Sequence, residues 1–103
     1  MTKLDQIVRV ISDTTRPVKI IWFGSRAKGG GTEGSDVDIA VIQRSEPKSG
    51  QKAKIYLELK RQGYDWDPEP DIHFFSAEAF EKKLGYGDLF AQEVARGKTI
   101  YAS

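Results

Sequence analysis

Apolar residues recur along the first segment at Leu4, Ile7, Val8 and Ile11, one stripe of a 3.6-residue period, which predicts an amphipathic helix. Thr2 stands where a cap belongs, with Asp5 three residues later in the first turn. Arg16-Pro17 predicts the helix end, because a residue before proline is pushed out of the helical region. Residues 18–23 are β-branched and aromatic and nearly all apolar, a short run that fits a strand buried on both faces. Residues 24–35 hold five glycines and two serines and read as a loop. A second strand is predicted over 37–42, then a polar connection over 44–50. A helix follows over 51–62, with Ile55, Leu59 and Gln62 on one line and Ala53, Tyr56 and Leu57 beside it. Gly63 is a common residue just past a helix end. A turn-rich stretch, 65–70, leads to a third strand over 71–75. Ser76 has the chemistry of an N-cap for a helix carrying Ala79 and Phe80, punctuated by Gly85 and Gly87. A last helix carries Leu89, Phe90 and Val94 and stops at Gly97, and Thr99-Ile100-Tyr101 adds a short terminal strand. The pattern is that of an α/β (α+β) chain with a small sheet and no internal repeat.

Composition narrows the function classes. At 103 residues, a single domain spanning 1–103 is expected. Sixteen basic against fifteen acidic residues argue against a polyelectrolyte tail, and nucleic acid is not indicated as a partner. With no cysteine, disulfides, thiolate metal sites and cysteine nucleophiles are excluded, and a single histidine leaves little room for zinc. No apolar run approaches the roughly 20 residues that span a bilayer, and the N-terminus has no signal-peptide block. The expectation is a soluble cytoplasmic protein without a membrane partner. Charge is uneven along the chain. Residues 44–62 carry six bases and two acids, and residues 63–71 carry four acids and no base. One solvated helix face followed by an acidic loop explains this; an electropositive face for an acidic partner is the other reading.

The chemistry concentrates between Phe23 and Val41, in FGSRAKGGGTEGSDVDIAV. Gly24-Ser25 follows a buried strand; glycine lets a phosphate approach the backbone, and free N–H groups at a helix start bind anions. Arg26 and Lys28 place positive charge close by. Asp36 and Asp38 stand two apart at a strand head, so both point to one face. Two adjacent carboxylates repel unless a cation lies between them, and hard oxygen ligands suit magnesium or manganese. Asp71 opens the third strand and lies at the same sheet end if the strands are neighbours. Phosphate loop, carboxylate pair and third carboxylate are the parts of two-metal phosphoryl-type transfer. Each part alone is commonplace, and a flexible loop before a hydrophilic strand start would contain the same residues. A Walker loop is excluded because GK[ST] is missing. A haloacid-dehalogenase arrangement is disfavoured because the aspartate pair precedes its strand rather than following one.

The joint pattern Gly24-Ser25-Arg26-Ala27-Lys28-Gly29, a spacer, then Ser35-Asp36-x-Asp38-Ile39-x-Val41 resembles the DNA polymerase β-like nucleotidyltransferases, and among them the minimal nucleotidyltransferase (MNT) family. Asp71 in Pro-Asp-Ile-His-Phe-Phe matches that family's third carboxylate, and residues 96–101 resemble its usual ending, so the likeness spans nearly the whole chain. The glycine-rich spacer, residues 29–34, departs from the pattern. The resemblance implies a nucleotidyltransferase fold, a small mixed β-sheet flanked by helices. It implies transfer of AMP from ATP to a hydroxyl with release of pyrophosphate. Asp36, Asp38 and Asp71 are then the catalytic carboxylates and the ligands of two Mg2+ ions, Asp71 also helping to deprotonate the acceptor. Gly24, Ser25, Arg26, Lys28 and Ser35 are the implied nucleotide-binding residues. The resemblance further implies a small all-helical HEPN-type partner in a toxin–antitoxin pair, with one of its tyrosines as acceptor. The alternatives are a non-catalytic antitoxin with a vestigial nucleotide site, and transfer to a small molecule. A chain of this length leaves no room for the second domain of larger relatives, so the isolated chain is expected to be an incomplete enzyme.

Six aromatic or imidazole positions stand outside this scheme. His73 shares Asp71's face, and the expectation is a histidine filling the strand face with a satisfied hydrogen bond, with support of the metal site or contact with the acceptor as the alternative. Trp22, Phe23, Phe74 and Phe75 are expected in the core. Trp66, among turn residues, is expected to anchor in the core, with an exposed partner-facing or base-facing role as the alternative.

Overall fold

The computed structural model describes residues 2–24, 27 and 36–103. Thr2 Oγ1 accepts from the Asp5 N–H at 3.0 Å, and the Thr2 N–H donates to Asp5 Oδ2 at 3.2 Å. This capping box opens helix α1 (Lys3–Thr15). The helix ends as its proline requires: Arg16 swings to φ 48°, and its N–H still donates to Ser12 O at 3.1 Å. Strand β1 (Lys19–Phe23) pairs antiparallel with β2 (Val37–Gln43), and Val18 falls just outside the strand. Helix α2 (Gln51–Arg61) then carries the chain to β3 (Pro70–Ser76), which lies parallel to β2. Parallel strands need such a crossover. Ser76 Oγ accepts from the Ala79 N–H at 3.1 Å and caps α3 (Ala77–Gly85); α4 (Leu89–Ala95) and β4 (Lys98–Ala102) follow. The sheet order is β3-β2-β1-β4, a mixed sheet with β4 antiparallel to β1. No described helix is long and apolar enough to cross a membrane.

Helices cover the sheet on both faces, and the period-2 alternation of the strands sorts residues between two cores. Ile20, Val37, Ile39, Val41 and Ile72 pack against Ile7, Val10 and Ile11 of α1 and Ile55 and Leu59 of α2. Ile21, Phe23, Ala40 and Ile42 pack with Phe80 of α3 and with Ala91 and Val94 of α4. Leu57 lies about 200° around α2 from both Ile55 and Leu59 at 100° per residue and is exposed. Phe23 is buried, whereas Trp22, Phe74 and Phe75 are only half-buried. Trp66 does not enter the core as expected: it stays 37% exposed at the surface, where its ring meets Tyr56 and Tyr64 edge-on at 5.6 and 5.5 Å. The acidic loop is tied to α1 by an ion pair of 2.9 Å between Lys3 Nζ and Asp65 Oδ1. Gly97 permits the close approach of the α4–β4 junction to β1, since a Cβ there would lie 2.6 Å from the Trp22 carbonyl oxygen.

Candidate active site

Strand direction decides what meets at one end of the sheet. The antiparallel β1–β2 register sets Phe23 opposite Asp38, and the parallel β2–β3 register sets Asp38 opposite Asp71. The end of β1 and the starts of β2 and β3 therefore form one edge, and β4 starts there too, with Lys98 opposite Trp22. Asp38, Asp71 and His73 all alternate onto the face covered by α3 and α4.

Gly24 closes this edge from above β1. It holds φ +85°, a left-handed conformation that favours glycine, and a Cβ built on it would lie 2.3 Å from Asp38 Oδ2. The carboxylate occupies the space that any other residue would fill. The glycine is required by its backbone and by its contact with Asp38.

The ligand atoms of Asp38, Asp71 and His73 all lie within 4.8 Å of one another. His73 Nε2 is 3.3 Å from Asp71 Oδ2. Burial pushes the Asp38 carboxyl above the usual carboxylate range, Asp71's charge pushes it further, His73 pulls it back, and Asp36 adds a smaller upward push. The negative field reaches the opposite face of the sheet. Tyr56 donates its hydroxyl to Pro70 O at 2.9 Å, and its pKa is raised by burial and by the charges of Asp71, Glu69 and Asp36. Asp36 itself is exposed, one residue ahead of β2, and stands apart from the three-residue group.

The described structure thus brings Gly24, Asp38 and Asp71 together. Ser25, Arg26, Lys28 and Ser35 lie outside the described residues, as does the 29–34 spacer. His73 keeps its expected place on the strand face with Nε2 paired to Asp71, and its grouping with Asp38 and Asp71 also agrees with the metal-adjacent alternative. Its side chain is 35% exposed, and its ring meets Phe90 at 5.1 Å and Phe23 at 5.9 Å. The two-residue spacing from Asp71 is the sequence signal for its place in the group. Phe90 has no comparable signal, because its approach depends on how α4 packs. A cleft of about 450 Å³ shares Gly24 with this edge and is bordered by Ala27, Glu93, Arg96 and Lys98, with Glu93 4.0 Å from Arg96. Arg96 and Lys98 come from the chain's far end, which sequence spacing alone does not connect to the glycine loop.

Two facing carboxylates and an imidazole nitrogen form a donor set for a divalent cation, and in the neighbouring cleft Arg96 and Lys98 outnumber Glu93 among the described residues. Metal plus phosphate is the chemistry of phosphoryl-type transfer. Comparison with curated proteins finds no match. The family model described as "Polymerase beta, Nucleotidyltransferase" matches residues 5–103, from the first turn of α1 through β4. The chain belongs to that family, and it is a nucleotidyltransferase.

Proposed function

We propose that this nucleotidyltransferase moves AMP from ATP to a hydroxyl, with a tyrosine of a small all-helical HEPN-type toxin as acceptor and an antitoxin role for the chain. The observation that carries the enzymatic part is the register of β2 on β3, which sets Asp38 opposite Asp71 beside Gly24. The donor set fits a divalent cation, because two facing carboxylates, one already raised by burial and by its neighbour, gain most from a positive charge between them. Asp36, Asp38 and Asp71 would hold the metal, which when bound supplies charge neutralisation at the α-phosphate and a more acidic acceptor hydroxyl. Gly24, Ser25, Arg26, Lys28 and Ser35 would seat the triphosphate, and Arg96 and Lys98 add positive charge from the cleft beside Gly24.

In the transfer, the acceptor oxygen bonds to the α-phosphorus, the bond from that phosphorus to the bridging oxygen of the β-phosphate breaks, and pyrophosphate leaves with the electron pair. The hydroxyl proton passes to an Asp71 carboxylate oxygen. A protein acceptor is supported by the rim of the site. Phe90, 42% exposed, packs on His73, and Leu89, its neighbour at the start of α4, is 81% exposed. Such an apolar margin suits a macromolecular surface better than a polar small molecule. The HEPN assignment rests on the motif resemblance alone.

The test is α-labelled ATP with Mg2+, with and without the product of the neighbouring reading frame, followed by mass spectrometry for an AMP adduct. The expected result is slow transfer by the lone chain and an adduct on a partner tyrosine. A tight complex without adduct under any divalent metal would favour a non-catalytic antitoxin. Rapid labelling of a small molecule would remove the protein acceptor.

A further inference from the structure

The family likeness supplies three carboxylates, whereas the geometry groups two carboxylates with a nitrogen. We propose that His73 Nε2 is itself a ligand of the ion held at Asp38 and Asp71, and that the site therefore favours Mn2+ or Co2+ over Mg2+. This rests on the metal-dependent reading of the same site.

Three observations carry it. The first is distance. Ligands bound about 2.0–2.2 Å from a small divalent ion and at right angles to one another stand about 3 Å apart. Asp71 Oδ2 and His73 Nε2 are 3.3 Å apart, and the Asp38 oxygen lies within the same 4.8 Å group. The second is orientation. His73 pairs with Ala40 in the β2–β3 register, so the neighbouring position on that face carries only a methyl group. Phe23 and Phe90 meet the imidazole ring at inclinations of 52° and 66°. These contacts restrict the ring while Nε2 faces the carboxylate, so little rotamer freedom is lost on binding an ion. The third is access. A side chain 35% exposed is open enough for an ion to enter and closed enough to limit competition from water.

The consequence for metal choice follows from ligand type. Mg2+ binds oxygen and keeps its waters, so an imidazole nitrogen contributes little to it. Intrinsic affinity for a mixed nitrogen and oxygen site rises from Mn2+ to Co2+, so a nitrogen ligand favours first-row transition ions over Mg2+, Co2+ more than Mn2+.

His73 is the chain's one histidine, which makes the test unambiguous. Untagged protein carrying either natural-abundance or 15N-labelled histidine is loaded with Mn2+ and examined by pulsed electron paramagnetic resonance, without nucleotide. The expected spectrum shows 14N coupling that converts to 15N coupling on labelling and disappears in His73→Gln. Competition titrations should show His73→Gln weakening Mn2+ binding at least tenfold and Mg2+ binding less than threefold. The labelled parent protein carries the test even if His73→Gln folds poorly. Mn2+ binding that is lost in Asp38→Asn yet shows no nitrogen coupling would overturn the His73 ligand while leaving the carboxylate site standing. Mn2+ binding indifferent to Asp38→Asn, or no binding at millimolar metal, would overturn the site and the ligand together.

Discussion

The same two strands, β2 and β3, end in opposite ways. At their far end, Gln43 stands opposite Ser76, and both polar side chains are buried. Both are satisfied. Gln51 Nε2 donates to Gln43 Oε1 at 2.7 Å, while Ser76 Oγ donates to Glu46 at 3.3 Å and accepts from the Ala79 N–H at 3.1 Å. Five residues back along each strand, Asp38 faces Asp71, and there the polar groups oppose one another, with Asp38's carboxyl raised by burial and by its neighbour. Burying polar groups in pairs that complete one another builds structure. Gathering like charges at a half-open edge costs stability that a bound cation returns, and such departures from local consistency mark functional sites.

The sharpest way to break the contrast is to fill the space beside Asp38. Gly24→Val adds a Cβ where the carboxylate sits and forces a β-branched residue to φ +85°. The expected loss is about 2–4 kcal/mol of stability, together with the loss of metal binding. Thermal melting and Mn2+ titration check it, and a valine variant as stable and as metal-competent as the parent would show that Gly24 has no part in the site.

A smaller effect is expected at the satisfied end. Ser76→Ala removes the cap of α3 and leaves the buried end of β3 without its hydrogen bonds, at about 1 kcal/mol. Denaturant unfolding should show this loss while Mn2+ affinity stays within twofold. A change in metal affinity of tenfold would mean that the two ends are coupled through the strands.

The smallest effect has the opposite sign. Because Asp38's carboxyl is raised in the fold, the folded chain holds its proton to higher pH than the unfolded chain, and stability falls as pH rises through that raised value. Asp38→Asn removes this penalty. Without divalent metal, the variant should melt above the parent by roughly 1–4 °C at pH 7, with the difference vanishing in acid, where Asp38 is protonated in both states. Added Mn2+ should raise the parent's melting temperature and leave that of the variant unchanged. A variant that melts lower at pH 7 would mean that the Asp38 charge has a stabilising partner in the fold.

Much of this architecture was legible in the sequence because it rests on local rules. The Thr2–Asp5 capping box, the Arg16-Pro17 stop, the Ser76 cap and all four strands follow from short-range pattern. Asp38 and Asp71 were legible as candidates, but their meeting depends on the parallel register of β2 and β3, which no local rule supplies. His73 was visible on Asp71's face, but whether it fills the strand face or serves the metal stayed open, since its other partners come from β2 and α4. Gly97 read only as a helix end, although its lack of a side chain also lets α4 lie against β1. The buried polar end at Gln43 was not legible, because an amide closing a strand looks like the start of a loop until Gln51 covers it.

The central question is whether the opposed carboxylates hold a cation that positions ATP. Titrating Mg-ATP into the parent and into the Asp38→Asn/Asp71→Asn double variant tests this directly, since the exchange keeps side-chain shape and deletes the ligand charge. The double variant should remain folded by circular dichroism and bind Mg-ATP at least tenfold more weakly. Equal affinity in a folded double variant would contradict such a cation site.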